Sequence, residues 1–290
     1  VIFYEFHERS IQADLGLALC LESQSVLRPD LRLLVMSATL EVEPIAKILG
    51  GAPVIKSEGR TYPVETRYID RPLEGRIETA VVRAVVKALD DHEGDILVFL
   101  PGAGEIRRVE ESLAQCIHDS IMIAPLYGNL PLEAQDKAVV PSKAGQRKVV
   151  LATAIAETSL TVEGVRIVID SGLARVPRFS PRTGMTRLET VMVSRASADQ
   201  RRGRAGRLGP GICYRLWTTR EDHHLVPHTT PEILETDLAS LALELAVWGA
   251  RDPAELSWLD LPPAAAFAQA RELLIQLGAL SEDGTVTLHG

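Results

Sequence analysis

The residues of this chain that most clearly could do chemistry form the octamer QRRGRAGR at positions 200–207. If the octamer is helical, Gln200, Arg204 and Arg207 stand at i, i+4 and i+7 and share one face. Its two glycines remove side chains beside that face, so another surface can come close. One amide and two guanidinium groups on a common face suit a polyanion such as a triphosphate. A solvated basic face is the alternative for an arginine-rich octamer.

Three further polar clusters follow predicted strands. Glu5-Phe6-His7 ends the first apolar strand, and Ser37-Ala38-Thr39 ends the second, about 30 residues later. A third cluster, rich in hydroxyl groups, occupies residues 153–161. Because α/β proteins bind ligands at the carboxyl ends of their strands, all three clusters are candidate sites. Each has an ordinary alternative, which is a plain strand end, a polar turn or a Ser/Thr-rich loop.

The elements that must position these residues are apolar strands alternating with amphipathic helices. Strands are predicted at residues 1–3, 33–36, 96–100, 121–124, 149–152 and 165–169. Helices are predicted at residues 11–27, 44–49, 77–89, 105–117 and 132–139. Residues 58–72 are polar and predict a linker with one extended piece at 64–68. This alternation predicts an α/β fold whose sheets are mostly parallel and covered by helices on both faces.

After residue 216 the pattern changes to helices and a hairpin. Two apolar stripes with helical spacing follow Pro231 and Pro263 and predict a helical core: Leu238, Leu241, Leu245 and Trp248, then Phe267, Ala270, Leu274 and Leu277. Gly278 is placed to cap the second helix. Asp283-Gly284 between short extended runs predicts a hairpin. Two helices and a hairpin resemble a winged-helix module.

Composition and charge limit the classes of function. Hydrophobic residues make up 46% of the 290, enough for buried cores. No apolar run approaches the roughly 20 residues of a membrane span. The net charge of -8 argues weakly against a general nucleic-acid binder, but residues 175–207 hold nine arginines against two acids. We therefore expect the polyanion surface of this acidic protein in that segment.

The cysteines and the chain start bear on location and completeness. Cys20, Cys116 and Cys213 are far apart and odd in number, which indicates neither a disulfide framework nor a zinc site and fits the reducing cytoplasm. The chain begins inside an apolar strand without Met and has no secretory leader. We expect it to be a fragment.

Taken in order, the clusters resemble the motifs of the DEAH-box group of superfamily 2 helicases. Glu5-Phe6-His7, followed by Glu8-Arg9-Ser10, resembles motif II, and Ser37-Ala38-Thr39 resembles motif III. Residues 97–102, 152–161 and 200–207 resemble motifs IV, V and VI. The tail at residues 238–256 is similar to the bacterial HrpB-type group of this family, so the resemblance covers nearly the whole chain.

The resemblance implies a domain organisation. Residues 1–60 would be the C-terminal part of a first RecA-like domain. Residues 61–220 would be a complete second RecA-like domain. Residues 221–290 would be a truncated winged-helix domain. In this interpretation the fold class is α/β with RecA-like parallel sheets followed by a winged helix.

The resemblance also implies a function, ATP hydrolysis coupled to unwinding or remodelling of RNA. ATP with Mg²⁺ would be used, and the nucleotide phosphates would meet Gln200, Arg204 and Arg207. Glu5 would orient the attacking water, and His7 would couple the nucleotide site to motif III.

Further residues are assigned to coupling and to RNA by the same resemblance. The hydroxyls of Ser37 and Thr39 would contact His7. RNA would be single-stranded and held mainly by its backbone, with no membrane and no evident oligomer. The residues implied in RNA binding are three from motif V and two from a hairpin at 175–190: Thr153, Thr158, Thr161, Arg178 and Arg182.

Three features depart from the family pattern. Tyr4 stands where the family has the aspartate that holds magnesium, and a neutral phenol is a poor ligand for that ion. Ala154 stands where motif V usually has asparagine. No Gly-Lys pair occurs, so the chain contains no phosphate-binding loop. An RNA-stimulated ATPase assay on this chain alone should therefore detect no turnover, and a non-catalytic RNA-binding remnant is the alternative function.

Overall fold

The computed structural model describes every residue except 39–41, 58, 60–61, 144, 158–161 and 181–182. The chain forms two compact units. The first unit comprises Val1–Ser57, Pro177–Glu189 and Thr230–Gly290, and the second comprises Glu58–Val176 and Thr190–Thr229.

The described strands are β1 Ile2–Phe3, β2 Leu34–Val35, β3 Val64–Tyr68, β4 Asp95–Phe99, β5 Ile121–Leu126, β6 Arg147–Ala152, β7 Val165–Asp170, β8 Leu173–Ser180, β9 Met185–Met192 and β10 Gly211–Arg215. The described α-helices are α1 Ile11–Val26, α2 Glu43–Ile48, α3 Ile77–Asp91, α4 Ala103–Ala114, α5 Leu132–Val139, α6 Arg195–Gly203, α7 Thr219–His223, α8 Ala239–Trp248 and α9 Ala264–Gln276.

The second unit contains a parallel sheet with the strand order β3-β10-β7-β4-β6-β5. Strand β4 is buried along its whole length, and β6 and β7 nearly so, which is why they read as continuous apolar runs. Helices α3 and α4 supply Val81 and Ile106 to the core on one face. Helix α5 supplies Ala138 to the core on the other. The predicted α/β class with a helix-covered parallel sheet is confirmed.

One strand of this sheet was not anticipated. Strand β3 coincides with the extended piece predicted at 64–68, whereas β10 was not predicted at all. Strand β10 pairs with both β3 and β7, so it is an interior strand of the sheet. Its apolar run, Ile212 to Tyr214, is only three residues long and lies between Gly211 and Arg215. A run this short has too little periodicity to be told from a turn.

The first unit contains a smaller parallel pair, β1 with β2. Both had been expected to be buried, and this expectation is wrong: Ile2 is 65% exposed and Leu34 is 52% exposed. The reason is that these strands pair only with each other within the described residues. Their apolar side chains therefore lack neighbours on one side.

Helix α1 packs into the core formed by the C-terminal helices of the first unit. Ile11 and Ala18 of α1 belong to one buried cluster with Leu241 of α8 and Phe267 of α9. The two predicted stripes are therefore core. Their last residues, Trp248 and Leu277, are 42% and 59% exposed because they lie at the helix ends.

Glycines and a short hairpin terminate these elements as predicted. Gly278 follows α9 with φ of 71°, in the left-handed region that favours glycine. The predicted hairpin is reduced to a single antiparallel bridge between Leu280 and Val286, with Gly284 at φ of 83° in its turn. Assignment of this part as a winged helix stays a prediction. Among the helices that the structure describes, none is long and apolar enough to cross a membrane.

The three cysteines are free thiols in different surroundings. Cys116 is exposed, whereas Cys213 lies inside β10 and is fully buried. Burial raises the pKa of the Cys213 thiol to about 12, and the nearby Asp170 carboxylate adds to this. We expect N-ethylmaleimide to modify Cys116 much faster than Cys213 near neutral pH, because Cys213 offers neither access nor thiolate.

Mass spectrometry after a short labelling pulse measures this difference, and a urea-unfolded sample is the control in which all three cysteines react. Rapid native labelling of Cys213 would show that β10 does not lie in the interior of the sheet.

Candidate functional site

The carboxyl ends of the parallel strands in the second unit are joined to one another by backbone hydrogen bonds. The N–H of Leu100 donates to the carbonyl of Ala152 at 2.8 Å, and that of Thr153 donates to Leu126 at 3.2 Å. The N–H of Ser171 donates to Phe99 at 3.2 Å. The segments predicted as motifs IV and V therefore begin side by side at one edge, where Thr153 is half-buried.

The arginine octamer does not form one continuous α-helix. Helix α6 starts at a cap in which the Ser194 hydroxyl accepts from the Ser197 N–H, and it ends at Gly203. Residues Arg204–Gly206 then form a tighter 3₁₀ turn. In a 3₁₀ turn, residues three apart lie on the same side, so this change of helix type does not separate Arg204 from Arg207.

The three residues expected on that face differ in solvent exposure. Arg204 is buried, with 6% exposure, and its Nη2 donates to the backbone carbonyl of Glu157. Arg207 is exposed and Gln200 is half-buried. The three side chains belong to one short segment, and their shared face stays a prediction.

Only one of the two octamer glycines is required by close packing. A Cβ on Gly206 would lie 2.7 Å from the carbonyl oxygen of Tyr62, whereas a Cβ on Gly203 would meet no atom within 4 Å. The Tyr62 N–H also donates to the Gly206 carbonyl at 2.9 Å. Gly206 thus lets the octamer lie against the segment that leads into β3, whereas the space beside Gly203 is open and its role stays a prediction.

Arg201 makes contacts that hold the octamer to the rest of the unit. Its side chain is 1% exposed and donates from Nε to Glu157 and from Nη1 to Asp170, both at 2.9 Å. The guanidinium also lies 4.9 Å from the centre of the Phe99 ring. Burial by itself would lower the pKa of Arg201, but the Asp170 and Glu157 carboxylates outweigh it and raise that pKa.

Glu157 joins motif V to motif VI through both its side-chain carboxylate and its backbone carbonyl. Its carboxylate accepts from Arg201, and its backbone carbonyl accepts from Arg204. Sequence analysis did not single out Arg201, Glu157 or Asp170. The available signal was the acid at the end of the apolar strand β7, because a buried carboxylate requires a cationic partner.

Helix α6 is held at a second point by Arg215. This buried side chain donates to Asp199 of α6 and to Asp222, each at 2.8 Å. It also donates to the Tyr68 hydroxyl at 3.1 Å and lies against the rings of Tyr68 and Trp217. Asp199 directly precedes Gln200, so these contacts fix the backbone that carries the predicted nucleotide contact.

Several arginines of residues 175–207 are paired with carboxylates. In the second unit, Arg175 lies 3.2 Å from Glu105. In the first unit, Arg178 lies 3.1 Å from Glu235 and 3.4 Å from Glu189. The positive surplus counted from the sequence is therefore reduced by acids from other parts of the chain. Arg187 and Arg195 are exposed.

The predicted motif II forms a short 3₁₀ turn, Phe6–Glu8, in the first unit. Ala38 donates its N–H to His7 Nδ1 at 3.2 Å, and Glu5 Oε2 lies 3.3 Å from the same nitrogen. One nitrogen cannot both accept from Ala38 and donate to Glu5, so the tautomer of the ring selects one contact. His7 therefore touches the segment predicted as motif III through the Ala38 backbone, next to the half-buried Ser37.

Some predicted residues lie outside the part of the chain that the structure describes: Thr39, Thr158, Thr161 and Arg182. Tyr4 is described and is 68% exposed. Ala154 begins a 3₁₀ turn after Thr153. Within the described residues, no three His, Cys, Asp or Glu side chains converge where a metal ion could bind. At the predicted motif II, Tyr4 offers a neutral phenol in place of a carboxylate, and a phenol does not fit a magnesium ion.

Comparison with known proteins agrees with this order of motifs. Residues 80–209 match the helicase conserved C-terminal domain. The chain is 52% identical over 280 residues to the ATP-dependent RNA helicase HrpB of Escherichia coli K12, a match covering 97% of this chain and 35% of that protein. It is 39% identical over 297 residues to the pre-mRNA-splicing factor ATP-dependent RNA helicase prp22 of Schizosaccharomyces pombe, covering 100% of this chain and 25% of that protein.

A crystal structure of the Escherichia coli DEAH/RHA helicase HrpB matches with a TM-score of 0.93 and 50% identity, covering all of this chain and 37% of that one. The chain belongs to the DEAH-box helicase family. Membership confirms the predicted RecA-like α/β class. The chain spans about a third of the length of HrpB and a quarter of that of prp22.

The buried Arg201 contacts generate a stability prediction for this helicase segment. Arg201→Met should lower the free energy of unfolding by about 3–5 kcal/mol, because it leaves two carboxylates buried without their cation. Asp170 is fully buried, and its Oδ2 has no hydrogen-bond partner among the described residues. Urea unfolding followed by circular dichroism measures the change.

The neighbouring arginine provides the matched control. Arg202 is 40% exposed and lies 3.5 Å from Asp199, so Arg202→Met should cost at most about 1 kcal/mol. Equal losses in the two variants would contradict a special role for Arg201.

Proposed function

We propose that this chain is part of an ATP-dependent RNA helicase that couples ATP hydrolysis to unwinding or remodelling of RNA. The observation that carries the proposal is the double attachment of Glu157 to Arg201 and Arg204. It fixes motif VI against motif V at the carboxyl edge of a parallel sheet, where α/β proteins bind ligands. The similarity to HrpB over 97% of the chain supports the same function.

Gln200, Arg204 and Arg207 would act on the nucleotide. Arg204 is held in place before any ligand arrives, which reduces the ordering cost of a phosphate contact. Arg207 is exposed and carries the planar fork that suits a phosphate. In the first unit, Glu5 would orient the attacking water. His7 would couple the nucleotide site to motif III, which comprises Ser37, Ala38 and Thr39.

RNA would be held through its backbone, as a single strand without strong sequence preference. Thr153 at the strand edge and Arg178 on the hairpin are the described candidates, with Thr158, Thr161 and Arg182 beside them in the sequence. Arg178 would have to leave Glu235 and Glu189 to reach a phosphate. RNA would therefore compete with carboxylates for this arginine. The free, widely spaced cysteines support a reducing location, which we infer to be the cytoplasm.

A non-catalytic RNA-binding protein is the second candidate, and Tyr4 favours it. Its phenol is exposed where the family resemblance expects a magnesium-binding carboxylate. A phenol does not replace that carboxylate as a ligand for a hard cation. The two candidates agree on RNA and differ on hydrolysis.

The RNA prediction uses the hairpin arginines. Arg178→Ala combined with Arg187→Ala should weaken binding of unrelated single strands alike. It should make the dependence of log K on log salt shallower by about 0.7 for each lost phosphate contact. Glu235→Gln should have the opposite effect on affinity, because it removes a competitor for Arg178.

Fluorescence anisotropy at several salt concentrations measures both effects. Arg28→Ala is the control, since Arg28 is an exposed arginine already paired with Asp30 in the same unit. An unchanged slope in the double variant would show that the hairpin arginines do not touch RNA.

The hydrolysis prediction uses a chimera that joins the upstream part of Escherichia coli HrpB to Val1 of this chain. With Tyr4→Asp the chimera should hydrolyse ATP when RNA is added, and Arg207→Lys should then reduce turnover by about 10³-fold or more. Lysine keeps the charge but loses the planar fork. Single-turnover hydrolysis and a thermal melt are measured together.

Arg195→Lys is the matched control, because Arg195 is exposed on α6 outside the octamer. Hydrolysis at the same rate with Arg207→Lys, in a folded chimera, would exclude Arg207 from the nucleotide site. Failure of the Tyr4→Asp chimera to hydrolyse ATP would favour the RNA-binding alternative.

A further inference from the structure

The turn that carries Glu5 and His7 is bounded by two residues in a disfavoured backbone conformation. Glu5 has φ of 51° and Arg9 has φ of 50°, and they are the only non-glycine residues with positive φ in the described part of the chain. Non-glycine residues keep such angles only where the surroundings over-determine them. The question is which contacts hold this turn in place.

Arg9 holds the C-terminal end of the turn by contacts to two acids. Its Nε and Nη2 donate to the two carboxylate oxygens of Asp14 at 2.9 and 3.1 Å. Nη2 also donates to Asp260 at 2.7 Å. The Arg9 and Asp14 side chains are 19% and 5% exposed, so the guanidinium is largely enclosed.

The backbone of Arg9 is fixed by a second C-terminal segment. Its carbonyl accepts from the Glu232 N–H at 3.1 Å, and the Glu232 carboxylate accepts from the Ile11 N–H at 2.9 Å. Asp260 and Glu232 both lie more than 220 positions along the chain from Arg9. The N-terminal turn is therefore tied to two distant parts of the same unit.

The Phe6 ring links Arg9 to the middle of the turn. The guanidinium carbon lies 5.9 Å from the centre of this ring, and Phe6 is 1% exposed. The Phe6 N–H donates to Met36 at 2.9 Å, next to the Ala38 contact with His7. A continuous set of contacts thus joins Asp260 to His7 through Arg9 and Phe6.

We infer that Arg9 is a positioning residue, which holds Glu5 and His7 in their working geometry by way of Asp14 and Asp260. Its meaning for catalysis rests on the proposed helicase function, but the positioning itself does not. Loss of the Asp260 contact would let the turn relax from its disfavoured angles and release His7 from Ala38.

The test is made on the 290-residue chain with Asp260→Asn and Arg9→Lys. Asp260 is 39% exposed, so its substitution by an isosteric amide should leave the unit folded. Lysine at position 9 cannot contact both acids with a fork. Amide hydrogen exchange of Ala38 should accelerate by about tenfold or more in both variants. The ¹⁵N resonances of the His7 ring should lose the pattern of an acceptor Nδ1.

Asp30→Asn is the matched control, because it removes an exposed carboxylate paired with Arg28 in the same unit. It should change neither signal. If Asp260→Asn and Arg9→Lys fold with Ala38 exchange and His7 resonances like the parent, Arg9 is only a structural link and the inference is overturned. Neither signal depends on ATP or RNA, so a failed hydrolysis or RNA assay leaves this result independent.

Discussion

A guanidinium enclosed between two carboxylates is the interaction on which the functional edge of the second unit depends. Arg201 brings a charge into a region with almost no solvent exposure, where an unpaired ion would be very unfavourable. Asp170 at the end of β7 and Glu157 after β6 supply the counter-charges. Because both acids are fixed by the sheet, the position of α6 is fixed as well. This attachment of α6 therefore also fixes the backbone positions of Gln200 and Arg204.

The same logic explains why the arginine-rich segment need not be a uniformly basic surface. A run of nine arginines looks like a polyanion site when it is counted along the sequence. In the folded units, members of this segment pair with acids such as Glu105, Asp170 and Glu235. Exposed members such as Arg187 and Arg207 are then distinguished by environment rather than by type. Under the proposed function, selective exposure of a few arginines would give a more specific phosphate site than a continuous basic face.

The sequence allowed the α/β class and most elements to be predicted because buried parallel strands leave long apolar runs. Strands β4 and β7 were recognised in this way, and helix α5 was recognised by its amphipathic spacing. Strand β10 was missed because its apolar run is three residues long and its burial comes from pairing with β3 and β7. The end of α6 at Gly203 was missed, and so was the close contact of Gly206 with Tyr62, because that contact joins residues distant in the sequence.

For the candidate site, the residues that would act on a ligand could be predicted from the sequence, whereas the residues that hold them in place could not. Residue type and order pointed to Glu5, His7, Arg204 and Arg207, since a carboxylate, an imidazole and guanidinium groups suggest reactions on phosphates. Their supports, Arg201 and Arg9, have the same side-chain type as the predicted ligand contacts. Burial and distant partners make the difference, and neither can be read from local spacing. An arginine that must meet a ligand has to remain accessible, so another group has to fix its backbone. Under our proposals a neighbouring arginine enclosed by acids would fix the backbone in both units. Arg201 contacts Glu157 and Asp170, and Arg9 contacts Asp14 and Asp260.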